Sequence, residues 1–347
     1  MAHLNYEPQV LVDTSDLTRE VWLDWRRKGI GGSDAAAILG VSPFNTARDL
    51  YYDKLGIVSA TDEEANWVQK EVGHLLEDLV AKIFAKKTGF KIYQIKKMFY
   101  HPDYPYMLAD VDYFVELPDG KKAILEIKTT NYNATGNWWL DGKEVVPVNY
   151  EIQGRHYMAV MNIDRVYYCC LYGNTEDEVI IRHIDRDEMF EQELIYLEGD
   201  FWENNIKAKN PPPYLENGEL ILESLKKHSG NGDADAPCIE LDVSNSSKLR
   251  YLLELKEAKG RSDAEGKRLE NEIKRYQGQI LDFMGNSCQA KCTIGEFSYD
   301  ISYKPMYKPT VNKDNLFRMK ELMPEVYDAF VTVTESRRFN IKKSKAA

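Results

Sequence analysis

Met107-Leu108-Ala109-Asp110-Val111-Asp112-Tyr113-Phe114 and, after a turn, Ala123-Ile124-Leu125-Glu126-Ile127-Lys128-Thr129 are the two segments that decide the predicted fold. Apolar side chains dominate both segments, which predicts two strands, Met107 to Leu117 and Ala123 to Thr130. Pro118-Asp119-Gly120 lies between them and is a hairpin turn signal. A three-residue loop pairs Leu117 with Lys121 and carries Asp112 opposite Glu126, unless a β-bulge shifts the register.

Acidic side chains on directly opposed strand positions repel each other, so their pairing predicts a bound cation. Glu126 and Lys128 share one face of their strand, because side chains alternate with a period of two. Hard divalent cations such as Mg²⁺ prefer oxygen ligands and complete their shell with substrate phosphate. The alternative is an exposed sheet face with solvated charges.

A further acid comes from a predicted helix over Asn66 to Lys87. Its apolar residues are predicted to form one buried face: Val68, Val72, Leu75, Leu76, Leu79 and Ile83. Glu77 falls at the edge of that face, where it can point inward, whereas Asp78 falls on the solvated side. Taken alone, a glutamate in this position is more often a surface charge than a metal ligand.

A second helix is predicted over Asn149 to Met161. Gln153 and Tyr157 lie four residues apart on one of its faces, and both can contact a phosphate or a water. A half-buried amphipathic helix explains these two residues as well. His156 is interpreted as a structural histidine, since no second ligand stands at metal-binding spacing.

The segment Arg27 to Gly40 contains Gly29, Gly31 and Gly32 directly before a helical run. Ser33 or Asp34 is predicted to cap a helix over Ala35 to Leu39. A glycine-rich helix start also lets an anion approach the free backbone N–H groups. The sequence therefore leaves open an anion site or a plain helix cap.

The chain as a whole is predicted to be an α/β protein followed by a mainly helical C-terminal extension. We predict an α/β domain over 1–209, a linker over 210–243 with Pro211-Pro212-Pro213, and an extension over 244–347 with a short strand, Phe297 to Tyr303, and a basic end. A long charged helix from Ser244 to Met284 is expected, with a split into a hairpin possible near Gly260.

Composition narrows the function classes. The 347 residues carry a net charge of −11, but residues 301–347 hold ten Lys and Arg against five Asp and Glu. The acidic net charge argues against a nucleic-acid partner, but an acidic body can still bind DNA if metal ions neutralise its active-site carboxylates. The five cysteines form no paired framework, and no membrane span or secretion signal is evident, so a cytoplasmic location is expected.

Five separated motifs in the first 209 residues resemble the phage lambda-type exonucleases, the YqaJ-like viral recombinases of the PD-(D/E)XK nuclease superfamily. The motifs are Arg27 to Gly40, Gly73 to Glu77, Asp112, Leu125-Glu126-Ile127-Lys128-Thr129 and Val146-Pro147…Tyr150…Gln153…His156-Tyr157. The resemblance implies a restriction-endonuclease-like core with a mixed central sheet flanked by helices.

The resemblance also implies roles for individual residues. Asp112, Glu126 and Lys128 match the family's catalytic acids and lysine, Glu77 its helical acid, and Ile127 the position whose carbonyl completes the metal shell. Gln153 matches the motif glutamine. Ser33 with Arg26 or Arg27 matches the terminal-phosphate pocket, to which we add Tyr157 from the residue pattern. Asp110 departs from the family pattern and is an alternate or auxiliary ligand.

The implied activity is Mg²⁺-dependent digestion, with Mn²⁺ able to substitute, of one strand of linear duplex DNA from its 5′ end. Implied partners are DNA ends, a single-strand annealing protein and further copies of the chain in a ring, in a phage- or prophage-encoded recombination system of a bacterial host. Two alternatives stay open: an endonuclease of the same fold, and a DNA-end-binding protein without turnover.

Overall fold

A computed structural model describes residues 6–57, 67–229, 238–240, 242–294, 296–304 and 312–331. The chain divides into two compact units, Met1–Gly232 and Asp233–Ala347. Among the described helices, none combines the length and apolar character that a bilayer crossing requires.

The first unit contains eleven strands in its described residues. They are β1 (Gln9–Asp13), β2 (Ile30–Gly31), β3 (Lys91–Tyr93), β4 (Lys97–Tyr100), β5 (Met107–Ala109), β6 (Tyr113–Glu116), β7 (Lys122–Thr129), β8 (Trp139–Leu140), β9 (Lys143–Glu144), β10 (Arg165–Leu171) and β11 (Val179–Asp185). Its α-helices are α1 (Arg19–Arg26), α2 (Gly32–Ile38), α3 (Ala47–Lys54), α4 (Trp67–Thr88), α5 (Val148–Met161), α6 (Glu188–Asp200) and α7 (Gly218–Ser229). A 3₁₀ helix covers Tyr132–Trp138, and a π-helix, Phe201–Lys207, continues α6.

Two mixed sheets carry this unit, which confirms the predicted α/β class. The five-stranded sheet has the order β11-β10-β7-β6-β3, with β10 parallel to β7 and the other pairs antiparallel. The four-stranded sheet has the order β1-β4-β5-β2, with β2 parallel to β5. A small β8–β9 hairpin stands apart from both. The main core lies between the sheets and α5, around Phe114, Ile124 and Met158.

The predicted hairpin register is confirmed over Tyr113–Glu116, but the predicted pair of Asp112 with Glu126 is not formed, because β6 begins at Tyr113. Tyr113 pairs with Leu125, and Leu117 N–H donates to the Lys121 carbonyl, as a three-residue loop requires. The prediction of one strand from Met107 to Leu117 is wrong. Residues 107–109 belong to the four-stranded sheet and 113–116 to the five-stranded sheet, so the chain changes sheets at Asp110-Val111-Asp112.

Helix α4 buries less of its apolar face than predicted. Val80, Ala81 and Phe84 are buried against the five-stranded sheet, and Leu76 and Ile83 are half-buried. The other members of the predicted face are exposed: Val68, Val72, Leu75 and Leu79. The apolar spacing correctly predicts a helix, but the fully buried residues are confined to the C-terminal half of α4.

The structure also differs from the prediction of a linker over 210–243. Helix α7 lies inside that range and contacts α3: Ser224 Oγ donates to Asp49 Oδ1 at 2.9 Å, and His228 Nε2 lies 2.7 Å from the same oxygen. Arg48 donates twice to the Pro212 carbonyl, at 2.9 and 2.6 Å. The polar composition that suggested a linker instead supplies these hydrogen bonds.

The second unit contains one long helix and smaller elements in its described residues. These are α8 (Val243–Met284), β12 (Gln289–Ile294), β13 (Phe297–Ser302), α9 (Lys313–Leu322) and α10 (Pro324–Phe330). Helix α8 runs through Gly260 without a break, so the possible split into a hairpin is not observed, and β12 pairs antiparallel with β13. The predicted basic end, Ser336 to Lys343, lies outside the described residues.

Candidate active site

Strand β7 places Glu126 and Lys128 on one face in the middle of the five-stranded sheet. Glu126 has no exposed surface. Its Oε2 atom accepts hydrogen bonds from Lys128 Nζ and from Gln153 Nε2, both at 2.9 Å. The predicted acid, lysine and motif glutamine therefore meet at one oxygen atom.

Asp112 stands at the point where the chain passes between the two sheets. Its Oδ2 atom accepts a hydrogen bond from the Ile127 backbone N–H at 2.9 Å. Asp110, two residues earlier, accepts a hydrogen bond from Trp22 Nε1 at 2.6 Å. Because the chain leaves the four-stranded sheet after β5, both carboxylates contact other elements: Asp110 bonds α1, and Asp112 bonds β7.

Glu77 approaches the same region from α4. It is half-buried, and its Oε1 atom lies 3.5 Å from Gln94 Nε2. Asp78, predicted on the solvated side, is exposed but accepts a hydrogen bond from the Tyr113 hydroxyl. Of the two neighbouring acids, Glu77 lines the pocket described below.

The carboxylates share an unfavourable electrostatic environment. Burial and the charge of Asp112 raise the pKa of Glu126 to about 8, although Lys128 opposes the shift. Burial and the same aspartate raise the pKa of Glu77 to about 7. Burial also raises the pKa of Asp112 itself. The pKa of Lys128 is raised because Glu126 and Asp112 outweigh its burial. The site is therefore short of positive charge.

One buried carboxylate oxygen marks a place where a cation could bind. The Oε1 atom of Glu126 is buried and has no hydrogen-bond partner, and an unsatisfied buried carboxylate oxygen is costly. Within the described ranges, no three His, Cys, Asp or Glu side chains form a ready-made metal cage. Magnesium needs only one or two protein carboxylates beside substrate phosphate and water, so the donor set fits a divalent cation.

The glycine-rich segment forms the start of α2, but its cap differs from the prediction. The helix begins at Gly32 with Gly31 as N-cap, and Asp34 accepts the Gly31 N–H at 2.9 Å. Ser33 and Asp34 therefore lie in the first turn rather than before it. The Ser33 hydroxyl is therefore not the helix cap, and Ser33 lines the pocket beside the helix start.

Only one of the two predicted arginines joins Ser33. Arg26 Nη2 donates to Ser33 Oγ at 2.6 Å and to Asp34 Oδ1 at 2.7 Å. Arg27 pairs instead with Asp24 and Asp53, at 3.1 and 3.3 Å, and does not line the pocket. The geometry therefore favours Arg26 as the partner of Ser33.

Close packing explains two of the glycines. A Cβ atom on Gly29 would lie 2.4 Å from the Tyr106 carbonyl oxygen, and one on Gly32 would lie 2.6 Å from Tyr157 Cε1. A side chain at Gly29 would clash with the backbone, and one at Gly32 would force Tyr157 to move. The glycines bring the backbone against β5 and α5, so they set the distance between the helix start and the acids.

A single pocket of about 360 Å³ connects the two parts of the site. Its lining includes Arg26 and Ser33 at the helix start, Glu77, Asp110 and Asp112 among the acids, and Tyr157. Glu126, Lys128 and Gln153 are not part of the lining. Glu126 and Lys128 lie on β7, whose Ile127 N–H bonds the lining residue Asp112.

Sequence reasoning missed two residues of this site. Trp22 holds Asp110, and Lys54 Nζ reaches Asp34 Oδ2 at 2.7 Å. Trp22 precedes Arg26 by one helical turn in α1, and the Arg26 guanidinium lies 5.3 Å from its ring centre. The spacing of four residues could have predicted that Trp22 and Arg26 share a helix face, whereas no local sequence pattern points to Lys54.

Fold and site together define an α/β protein with a buried carboxylate–lysine cluster beside a pocket that the start of α2 also lines. The model of the YqaJ-like viral recombinase domain matches residues 21–164. The uncharacterized protein YqaJ of Bacillus subtilis (strain 168) is 32% identical over 339 residues, which cover 96% of this chain and 98% of that protein. The chain belongs to the YqaJ-like viral recombinase family, which confirms the resemblance.

Solved structures with similar chains include an alkaline exonuclease, LHK-Exo, from Laribacter hongkongensis. It shares 17% identity with a TM-score of 0.44, over 60% of this chain and 98% of that one. A phage-related exonuclease from Haemophilus somnus 129PT shares 13% identity with a TM-score of 0.37, over 52% and 96% of the two chains.

Proposed function

We propose that the protein is a metal-dependent exonuclease that digests one strand of linear duplex DNA from its 5′ end. The observation that carries the proposal is the single pocket, which joins Glu77 and Asp112 to Arg26 and Ser33. One part of it suits a cation with a scissile phosphate, and the other suits a second phosphate. Membership of a viral recombinase family supports DNA as the substrate.

Glu77, Asp112 and Glu126, with the Ile127 main-chain carbonyl, are the residues proposed to hold Mg²⁺ or Mn²⁺. Such an ion polarises a phosphoryl oxygen and lowers the pKa of a bound water. The buried, unpartnered Glu126 Oε1 atom is the donor that supports this assignment most directly.

Lys128 and Gln153 orient the catalytic acid. Both donate to Glu126 Oε2 and so direct Oε1 away from themselves. Lys128 also keeps its proton, since neighbouring acids raise its pKa. A charged ammonium at this point stabilises the negative charge that develops on the phosphate oxygens during attack.

Arg26 and Ser33 are proposed to hold the terminal 5′-phosphate. Arginine pairs with phosphate through parallel N–H bonds, and the Ser33 hydroxyl and the free N–H groups of the α2 start can donate as well. With that phosphate held, water attacks the next phosphorus, the bond to the 3′ oxygen of the terminal nucleotide breaks, and that oxygen takes a proton. The product strand again ends in a 5′-phosphate.

Digestion of matched DNA substrates tests the proposal. The protein should degrade linear duplex with Mg²⁺ or Mn²⁺, stop on chelation with EDTA, leave covalently closed circles intact, and prefer 5′-phosphorylated over 5′-hydroxyl ends. Cleavage of closed circles would favour an endonuclease. Binding of DNA ends without digestion in any of these metals would favour an end-binding protein without turnover.

A ring of several copies and a single-strand annealing partner stay proposals that rest on the family. Light scattering of the purified protein tests for the ring, and co-purification with an added single-strand annealing protein tests for the partner. A monomer at all concentrations tested would contradict the ring.

A further inference from the structure

A buried lysine lies behind the start of α2. Lys54 is the last residue of α3, and its side chain is 1% exposed. Its ammonium group donates to Asp34 Oδ2 at 2.7 Å and to the Arg26 carbonyl at 3.0 Å. Because the side chain is enclosed by protein and its ammonium bonds only protein oxygens among the described contacts, Lys54 is not placed to touch a bound phosphate itself.

Asp34 connects this lysine to the pocket. Its Oδ1 atom accepts from Arg26 Nη2 at 2.7 Å, while Oδ2 accepts from Lys54 and from the Gly31 N–H at 2.9 Å. Burial would raise the pKa of Asp34, but Arg26 and Lys54 lower it to about 2. The carboxylate is therefore ionised, and it lies between two cations.

The charge of this cluster decides whether Arg26 can bind an anion. Arg26 and Asp34 alone would form a closed neutral pair, in which the guanidinium charge is already satisfied. Lys54 adds a second positive charge on the buried side, so the three groups together carry one net positive charge. Because low-dielectric surroundings screen charges weakly, that net charge reaches the exposed edge of Arg26.

We propose that Lys54 is a positioning residue that keeps Arg26 available for the terminal phosphate by neutralising its competitor, Asp34. The inference rests on the proposed function, because it assigns a role within the same phosphate-binding corner. Through its bond to the Arg26 carbonyl, Lys54 also fixes the end of α1 from which the guanidinium extends.

The test compares the binding of duplex DNA with a 5′-phosphate and with a 5′-hydroxyl, measured by fluorescence anisotropy in EDTA so that no cleavage occurs. Lys54→Met removes the net charge of the cluster and should reduce the preference for phosphate about tenfold, the size of a lost charge-assisted hydrogen bond. The double variant Asp34→Asn with Lys54→Met restores one net positive charge and should recover the preference.

Lys86→Met is the matched control, since Lys86 is exposed and pairs with Glu176. It should keep the wild-type preference. If Lys54→Met fails to fold, Lys54→Gln takes its place, because it removes the charge but can still donate a hydrogen bond to Asp34. Wild-type preference in folded Lys54→Met, or lost preference in the double variant, would overturn the inference, because a purely structural lysine predicts no recovery.

Two results separate this inference from the proposed function. If the protein digests linear DNA but never prefers phosphorylated ends, the nuclease proposal stands, and the role of Lys54 is overturned. If it shows no digestion with Mg²⁺ or Mn²⁺, yet its end preference follows the cluster charge through the variants, the role of Lys54 stands and the nuclease proposal fails.

Discussion

The carboxylate of Asp112 accepts the backbone N–H of Ile127 at 2.9 Å, across the gap where two sheets meet. This bond links the residue after the sheet change to the strand that carries Glu126 and Lys128. The side chain takes the place that a main-chain acceptor would hold in a continuous hairpin. The bond to β7 therefore holds the Asp112 carboxylate in place, although Asp112 itself lies outside both sheets.

We expect Glu126→Gln and Lys128→Ala to abolish DNA digestion while end binding persists. Removing a group that stabilises transition-state charge costs about 10² to 10³ in rate, and losing a metal ligand costs more. Digestion rates and anisotropy measure the two effects separately. Glu116→Gln is the control, because Glu116 is exposed on the adjoining strand β6. Near wild-type rates for either site variant would refute the site.

The two adjacent arginines offer a matched pair. Arg26→Ala should lose most of the discrimination between 5′-phosphate and 5′-hydroxyl ends, because Arg26 contacts Ser33. Arg27→Ala should keep it, because Arg27 pairs with exposed Asp24 and Asp53. Digestion rates on the two kinds of end give the ratio. The reverse pattern would transfer the phosphate site to Arg27.

Gly32→Ala should destabilise the protein and shift Tyr157. A Cβ atom at Gly32 would lie 2.6 Å from Tyr157 Cε1, and overpacking of this kind costs about 1–3 kcal/mol. Urea denaturation measures the loss. Gly136→Ala is the control, since no atom lies within 4 Å of a Cβ there. Equal stability of the two variants would show that the α2 start is not closely packed.

The metal-free protein should lose stability as the pH rises from about 5 to 8. Burial and Asp112 raise the pKa of Glu126 to about 8 in the folded state, while the unfolded side chain titrates near its ordinary value of about 4.3. The folded state then binds more protons in this window, so the free energy of unfolding falls with rising pH. Thermal unfolding in EDTA measures the slope, which Glu126→Gln should reduce.

Magnesium should raise the unfolding temperature more at pH 8 than at pH 6, because it competes with protons for the carboxylates. Equal slopes for the wild type and Glu126→Gln, or an effect of Mg²⁺ that does not change with pH, would contradict the assignment of Glu126.

A fragment of residues 1–232 should fold and digest DNA, whereas one ending at Pro213 should unfold at a lower temperature. The shorter fragment removes α7, whose Ser224 and His228 bond Asp49. Circular dichroism on heating compares the two, and partner binding or sustained digestion should weaken in both because the second unit is absent. If the fragment 1–232 does not fold, the division into two units is wrong.

Helical spacing predicted α4 and α5, and a turn signal predicted the β6–β7 register. Each depends on neighbouring residues along the chain. Which face of α4 is buried was predicted wrongly at Val68 and Leu75, because apolar spacing does not say how far a helix extends past its sheet. The change of sheet at Asp110 was not predicted either, because the residues of β5 and β6 are both mainly apolar and give no sign that the two strands belong to different sheets.

The sequence by itself determined the hairpin, its register and the shared face of Glu126 and Lys128, because alternation and turn length fix which strand residues face each other. Only the tertiary structure decided between Arg26 and Arg27 and brought Lys54 to Asp34. Those contacts join α1, α2 and α3, whose relative positions depend on close packing at Gly29 and Gly32. No local periodicity encodes these contacts, because Arg26 and Lys54 come from separate helices and both bond the buried carboxylate of Asp34.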